Sequence, residues 1–531
     1  MTALLAHAPG TPAIDATAPR RAVLALARVE TLRMLRHPVT VAATLLLAGS
    51  WVATWFAIGT SRYPVLQELD RDSAIGMMIL LGGAALIVGN LAVLRAHRDG
   101  TTGLSQVLIL PDRARTLAHL FAPLPLAVLG AVLIVARMAA LAIWAPAAGH
   151  PNPYELATGP ATVLLLGALG VLLGRLTRSA VVAPLALLVL LASLVALDPL
   201  AHGGKALWLA PQGGSALPMP VPVSLIGRPA AAHLGYLLGL AGLLAAAALL
   251  RAGARGVRVA VAGVLALACA VAGGTAQMSA PGHAAAAART AVMYHPSQYE
   301  TCRELGHVTY CAFAGFSRWI PAWDTVVRAV VAQAPATARS APLTVRQRIA
   351  FVGLSGGKGP EQLLAAWRAD DAAAGTPGAI GIDTRWGDSR SAASLAARVA
   401  YRLVTGQPGE AREERAGQRE LVGATACGGV GVLVVWLAAQ AGTQARTGLR
   451  QLTEDGPDRR GGVSFDENEL FPSVYVPAPE LAVATQALDR PRADTAARVQ
   501  RSWATLTAPG TTAAQAARIL GVPAPATSTA C

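Results

Sequence analysis

The sequence predicts an α-helical polytopic membrane protein with about seven transmembrane helices and a mainly helical C-terminal extracytoplasmic domain. Three observations predict it. Seven apolar stretches lie between Val39 and Ala276, each about as long as a bilayer core is thick. The arginines between them fall mainly on alternate sides. Only 14% of the 531 residues are charged and the mean hydropathy is +0.46, whereas a soluble domain carries roughly a quarter charged residues. The C-terminal half is richer in charge and long enough for one or two soluble domains of its own.

The net charge of +14 does not point to nucleic acid. Most of the excess precedes residue 277, in short loops beside apolar segments, where a positive-inside bias puts it. No basic stripe interleaved with aromatics offers a base-stacking surface. The expected partner is a lipid membrane, with no nucleic acid.

Residues 1–21 hold Pro9, Pro12 and Pro19 but no sustained apolar core. They read as a disordered cytoplasmic tail rather than a cleavable signal peptide. In Ala22–His37, Leu24, Leu26, Val29, Leu32 and Leu35 recur near helical spacing, with Arg28, Glu30, Arg33 and Arg36 between them. Residues 22–38 therefore predict an amphipathic helix along the inner leaflet, broken by Pro38.

The predicted spans, within a transmembrane domain over residues 39–276, are Val39–Ile58, Ser73–Leu94, Ala118–Arg137, Ala157–Leu173, Ala180–Leu197, Ala231–Leu250 and Val259–Ala276. One side collects Arg20, Arg21, Arg28, Arg33, Arg36, Arg95, Arg98, Arg113, Arg115, Arg175, Arg178, Arg251, Arg255 and Arg258. The other collects only Arg62, Arg71, Arg137, Lys205 and Arg228. The larger set belongs in the cytoplasm, so an odd number of spans puts the C-terminal domain outside a cell membrane. Arg137 reads as an interfacial arginine that snorkels to the headgroups; a transport-path residue is the sharper alternative. The remaining span cores carry essentially no charge, which argues against ion-coupled carriers.

The loop Arg95–Leu120 has Gly100 and Gly103 at a turn, a short apolar helix over Leu104–Leu110, and Pro111 to end it. From the residues alone it is either a connector or a docking element. Arg36-His37-Pro38, Arg98-Asp99-Gly100-Thr101, and Leu110-Pro111 with Arg115-Thr116 resemble motifs of the ABC-2 type exporter permease family, over roughly residues 22–250. The resemblance implies a separate ABC ATPase subunit docking on Ala22–His37 and Gly100–Thr116. Arg98, Asp99, Gly100, Thr101, Leu110, Pro111 and Arg115 are the candidate docking residues. It also implies a homo- or heterodimeric permease and export of a hydrophobic or amphipathic substrate. The loop Asp198–Ala230, rich in Pro and Gly and carrying Trp208, matches the family's outward-facing loop loosely. The seventh span and the large outer domain depart from the family's six-span pattern. No G-x-x-x-x-G-K-[ST] motif supplies a phosphate-binding loop, so the ATPase is expected on another chain. Leu354-Ser355-Gly356-Gly357-Lys358 reads as a flexible turn.

Residues 277–289 read as a small-residue linker and 290–531 as the extracytoplasmic domain. Cys302 and Cys311 bracket a short segment, a spacing that suits a disulfide closing a hairpin in an oxidising compartment. Cys427 and Cys531 are a speculative second pair, and Cys269 sits in the seventh span as packing. His295, His307 and Glu304 could be drawn into a metal site, but no H-E-x-x-H places two histidines on one helical face. No G-x-S-x-G elbow exposes a serine. No catalytic, cofactor-binding or metal residue is therefore assigned, and no enzymatic activity is expected.

Helices are expected at Trp323–Ala334, Ser391–Thr405, Glu480–Leu488, Thr495–Leu506 and Thr512–Leu520, a strand and turn at Thr344–Leu354, and an exposed loop at Gly406–Arg419. Leu421–Ala441 is long enough to span, yet its glycines favour a buried helix of the outer domain. The expected function is a permease-like membrane subunit of an ATP-driven exporter. The alternative is a membrane-anchored extracytoplasmic binding or assembly protein on a transporter-derived scaffold.

Overall fold

The computed structural model describes residues 18–57, 62–101, 110–201, 209–211, 219–279, 282–350, 360–409, 423–454, 461–465 and 473–525. Among these, six helices are long and apolar enough to cross a bilayer: Pro38–Phe56, Leu66–Arg98, Asp112–Trp144, Pro153–Thr177, Ala230–Arg251 and Val257–Met278.

Helix α1 (Ala18–Leu35) precedes a turn at Arg36–His37, and Pro38 opens α2 (Pro38–Ala57). Proline suits a first helical position because its missing N–H has no intrahelical partner there. The buried face of α1 is Val23, Ala27, Glu30 and Met34, packed on the following helices. Leu24, Val29 and Leu32, which the spacing assigned to the apolar face, stay exposed on the helix surface.

The next rod is α3 (Leu66–Met77), a π-helical turn (Met78–Gly82) and α4 (Gly83–Arg98). It starts seven residues before the expected Ser73 and so carries Glu68, Asp70 and Asp72 on a helix rather than in a loop. Then come α5 (Asp112–Phe121), α6 (Leu124–Trp144), α7 (Pro153–Thr177), α8 (Val182–Ala201), α9 (Ala230–Arg251) and α10 (Val257–Ser279). The short predicted span Ala157–Leu173 lies inside the 25-residue α7. Glycines set the tightest crossings. A Cβ on Gly170 of α7 would lie 2.2 Å from the Leu86 carbonyl oxygen of α4, and one on Gly239 of α9 would lie 2.4 Å from the Ala270 nitrogen of α10. Small residues let helix backbones approach this closely in lipid.

The segment expected as a linker is helical: α11 (Gly282–Tyr294). Its alanine run has the highest intrinsic helix propensity, and small side chains here build a helix rather than a flexible tether. Beyond it, β1 (Glu300–Leu305) and β2 (Val308–Phe313) form an antiparallel hairpin with Cys302 opposite Cys311, joined by a disulfide. Strands β3 (Leu343–Gln347) and β4 (Ile380–Ile382) extend it in parallel, in the order β1-β2-β3-β4. Helices α12 (Ile320–Val331), α13 (Pro360–Ala373) and α14 (Ser389–Thr405) accompany this sheet. A second sheet, β5-β7-β6, joins β5 (Ala424–Thr425), β6 (Val463–Phe465) and β7 (Val474–Val476).

Helix α15 (Gly428–Ala439), the apolar segment that could have spanned, is buried along almost its whole length. It is packed by α14, α16 (Thr443–Glu454), α17 (Ala478–Leu488) and α19 (Ala513–Leu520), with α18 (Arg492–Arg501) beside α19. Its 12 residues rise about 18 Å, short of a core of about 30 Å. The expected helix Thr495–Leu506 is broken at Ser502 into α18 and a further short helix.

The core of the C-terminal domain, expected as the outer domain, does not stop at the domain boundary. It runs from Phe313, Phe316, Trp319 and Trp323 into Val65, Ala148, Met219, Val221 and Leu225, which lie between membrane helices. Trp319 Nε1 donates to the Pro146 carbonyl at 2.7 Å, Thr384 Oγ1 to the Pro220 carbonyl at 2.5 Å, and the Gly149 amide to the Gly315 carbonyl at 3.1 Å. The segments between α2 and α3, α6 and α7, and α8 and α9 thus share one face with the outer domain.

Candidate functional site

At that seam lies a cavity of about 1130 Å³. Helices of the bundle, the segments before α3 and α9 (the latter with Met219 and Pro220), and the β4–α14 region of the C-terminal domain build it. Helix α2 supplies Leu47, Trp51 and Trp55, α3 supplies Glu68, Asp72 and Gly76, and α6 supplies Leu133, Arg137, Ala140 and Trp144. Tyr63 enters from the segment before α3, Arg385, Trp386 and Asp388 from the turn between β4 and α14, and Ser391 from the first turn of α14. That turn leaves the carboxyl end of a parallel strand, the edge at which open α/β sheets commonly bind ligands.

Each wall has a local cause. The β4–α14 turn is set by Asp388, which caps α14 by accepting from the Ser391 amide at 2.6 Å, satisfying a donor the helix start leaves open. Asp383 accepts from the Arg385 amide in the same turn. Trp386 is wedged edge-to-face between Tyr63 at 6.1 Å and Trp323 at 6.4 Å, centroid to centroid. Across the cavity the Arg137 guanidinium lies 4.8 Å from the Trp51 ring centroid and donates to Ser73 Oγ. It therefore has partners inside the protein, Asp72 acting on it electrostatically as well, and it lines the cavity. The π-helical turn begins next to this wall, with Leu80 in the lining; such turns are frequent at functional sites.

Behind the cavity, Arg228 ties three elements. It lies 3.3 Å from Glu155 and 3.8 Å from Asp70 and donates to the Gln67 carbonyl at 2.8 Å. Asp70 also accepts from the Asn152 amide at 3.0 Å. These groups hold the start of α3 against α7.

The candidate docking residues are gathered at the opposite end of the bundle. Arg98, Asp99, Gly100 and Thr101 end α4 and are exposed. Leu110 and Pro111 lead into α5, where Arg115 pairs with Asp112 at 3.6 Å. Leu110 and Ala114 pack against α1 through Val23 and Ala27, and buried Glu30 of α1 pairs with Arg95 of α4 at 2.7 Å. Most of the expected helix Leu104–Leu110 lies outside the described residues. So do Lys205, Trp208, Leu354–Lys358, Cys531 and most of Gly406–Arg419; Cys427 is itself disulfide-bonded.

In the outer domain Arg346 pairs with Glu300 at 2.8 Å and Asp371 at 3.2 Å, and Arg348 pairs with Asp371 while stacking 4.7 Å from the Trp367 centroid. Burial pushes the Glu300 carboxyl up to about 7, against the opposing pull of Arg346. It raises Asp371 as well. The network joins β1, β3 and α13, away from the cavity lining. His307 is exposed at the hairpin turn, and among the described residues no group of three His, Cys, Asp or Glu side chains is placed to hold a metal.

Sequence reasoning missed Glu68, Asp72, Arg385 and Trp386. The i,i+4 spacing of Glu68 and Asp72 was a usable signal had the helix been started earlier. Nothing local marks Arg385 and Trp386, which reach the site only through tertiary packing. No protein-family model, curated protein or solved structure matches this chain.

Proposed function

We propose that this chain is the permease-like membrane subunit of an ATP-driven exporter, with a separate ATPase chain supplying the energy and the seam cavity serving as the substrate path. The observation that carries this reading is the cavity itself. It combines apolar walls on helices whose outer surfaces are exposed with a charged, aromatic roof, as an amphipathic molecule needs. The second support is the docking set at the far end of the α3–α4 rod, whose exposed residues flank α5. On this reading α8 is a seventh crossing, the arginine-rich end is cytoplasmic and the outer domain faces outward. The permease works as a dimer.

Purification from native membranes in mild detergent tests this reading. A stoichiometric P-loop ATPase is expected to co-purify and to be lost from an Asp99→Arg/Pro111→Ala variant. A preparation without any ATPase, repeated under crosslinking, would overturn it in favour of the anchored binding protein.

A further inference from the structure

Resting on the reading of the cavity as a substrate path, we propose that it selects a cationic amphiphile, with the positive centre held at Glu68 and Asp72 and the apolar body against α2 and α6. The two carboxylates are one helical turn apart and both line the cavity. Among the described residues neither makes a hydrogen bond or a close ion pair. Like charges at this spacing repel and weaken a helix, and a bound cation removes that cost. The cavity also holds cations. Arg137 is held by Ser73 Oγ and the Trp51 face and lies near enough to Asp72 to act on it electrostatically. Arg385, from the outer domain, lies near enough to Glu68 to act on it electrostatically.

The remaining wall suits the same occupant. Trp55, Tyr63, Trp144 and Trp386 offer aromatic surface around the carboxylates, and a desolvated cation is attracted to such a face. Arg385 is then the counter-charge to Glu68 that a ligand cation displaces, while Arg137 stays beside Asp72. That gives the outer domain a direct part in selection: removing its charge should tighten cation binding rather than weaken it.

Tetraphenylphosphonium and tetraphenylborate have nearly the same shape and opposite charge. Each is titrated separately onto the full chain in phosphatidylcholine nanodiscs, beside empty discs. Saturable binding of the phosphonium is expected, about tenfold or more weaker in Glu68→Gln/Asp72→Asn, on the scale of one lost charge contact, and several-fold tighter in Arg385→Gln. Monodispersity and thermal stability of each variant exclude misfolding as the cause. Ala140→Trp, which fills the cavity from α6, should abolish binding. Equal or tighter binding of the borate, or full phosphonium affinity in the double carboxylate variant, would overturn the cation assignment. If Ala140→Trp then still blocked the borate, the cavity would stand as a site for another class. The co-purifying ATPase is a separate readout, so the permease reading stands or falls independently.

Discussion

Helices α2 and α15 are both strongly apolar, yet the two regions that contain them bury them in opposite ways. In the bundle, α2 turns Leu45 and Phe56 outward, the latter 82% exposed, and α10 exposes Val264 and Leu265. In the outer domain, Val432, Leu433, Val434 and Val435 of α15 are all fully buried. Apolarity alone does not separate a membrane helix from a core helix. Length and what surrounds it do: the bundle helices are long enough to cross a bilayer and leave apolar faces exposed, whereas α15 is short and enclosed by other helices. The seam between the regions is a third case. There the outer domain's core extends into the loops of the bundle, so the outer domain is finished by residues it does not own.

The largest effect follows from that seam. A fragment of residues 290–531 lacks Val65, Ala148, Met219, Val221 and Leu225, which complete its core. It is expected to aggregate or to lack cooperative unfolding when expressed alone. A soluble fragment with a sharp thermal transition would separate the two regions and favour an anchored module. In the full chain, Trp319→Ala removes a fully buried ring and its bond to Pro146. Apparent stability in detergent should fall by about 3–5 kcal/mol.

A comparable loss is expected inside the outer domain. Arg346 is 1% exposed and held between Glu300 and Asp371. Arg346→Ala leaves buried Glu300 without its partner, while Asp371 keeps Arg348, and should cost about 3–5 kcal/mol. Because this network does not line the cavity, phosphonium affinity measured below the variant's melting temperature should not change. A parallel loss of affinity would show that the two regions are coupled more tightly than their contacts imply.

The Cys302–Cys311 disulfide contributes less. Cys302→Ser/Cys311→Ser should lower stability by about 2–4 kcal/mol, chiefly by freeing the unfolded chain, and the effect should vanish when both forms are compared under reducing conditions. Equal stability of both forms under oxidising conditions would place the strength of the hairpin in its pairing and burial alone.

How much of this was readable from the sequence differs between the regions for physical reasons. The bundle helices were legible because a segment able to cross a bilayer is marked by its length and apolar composition. The expected apolar stretches fall on helices displaced at the ends, as at Leu66 and Trp144, and Ala118–Arg137 is divided between α5 and α6 at Ala122–Pro123. The disulfide was legible because a sequence separation of nine between the cysteines suits a hairpin. The cavity was not. Glu68 and Asp72 sat beyond the expected start of a span, and Arg385 and Trp386 come from more than 300 residues away in sequence. Their meeting depends on the loop cores of Val65 and Met219, which no periodicity marks.

The smallest expected effect is a pH dependence confined to the outer domain. Burial raises the folded-state pKa of Glu300 to about 7, above an unfolded value near 4.3. Between these limits the folded state binds more protons than the unfolded one, so stability falls as pH rises. Asp371 is shifted in the same direction and adds to the slope. Thermal unfolding followed from pH 5 to pH 8 should therefore show a decline. Glu300→Gln should flatten that decline while leaving Arg346 its contact with Asp371. A wild-type profile that rises with pH over this interval would mean that Arg346 holds Glu300 ionised throughout, and that the pairing outweighs burial.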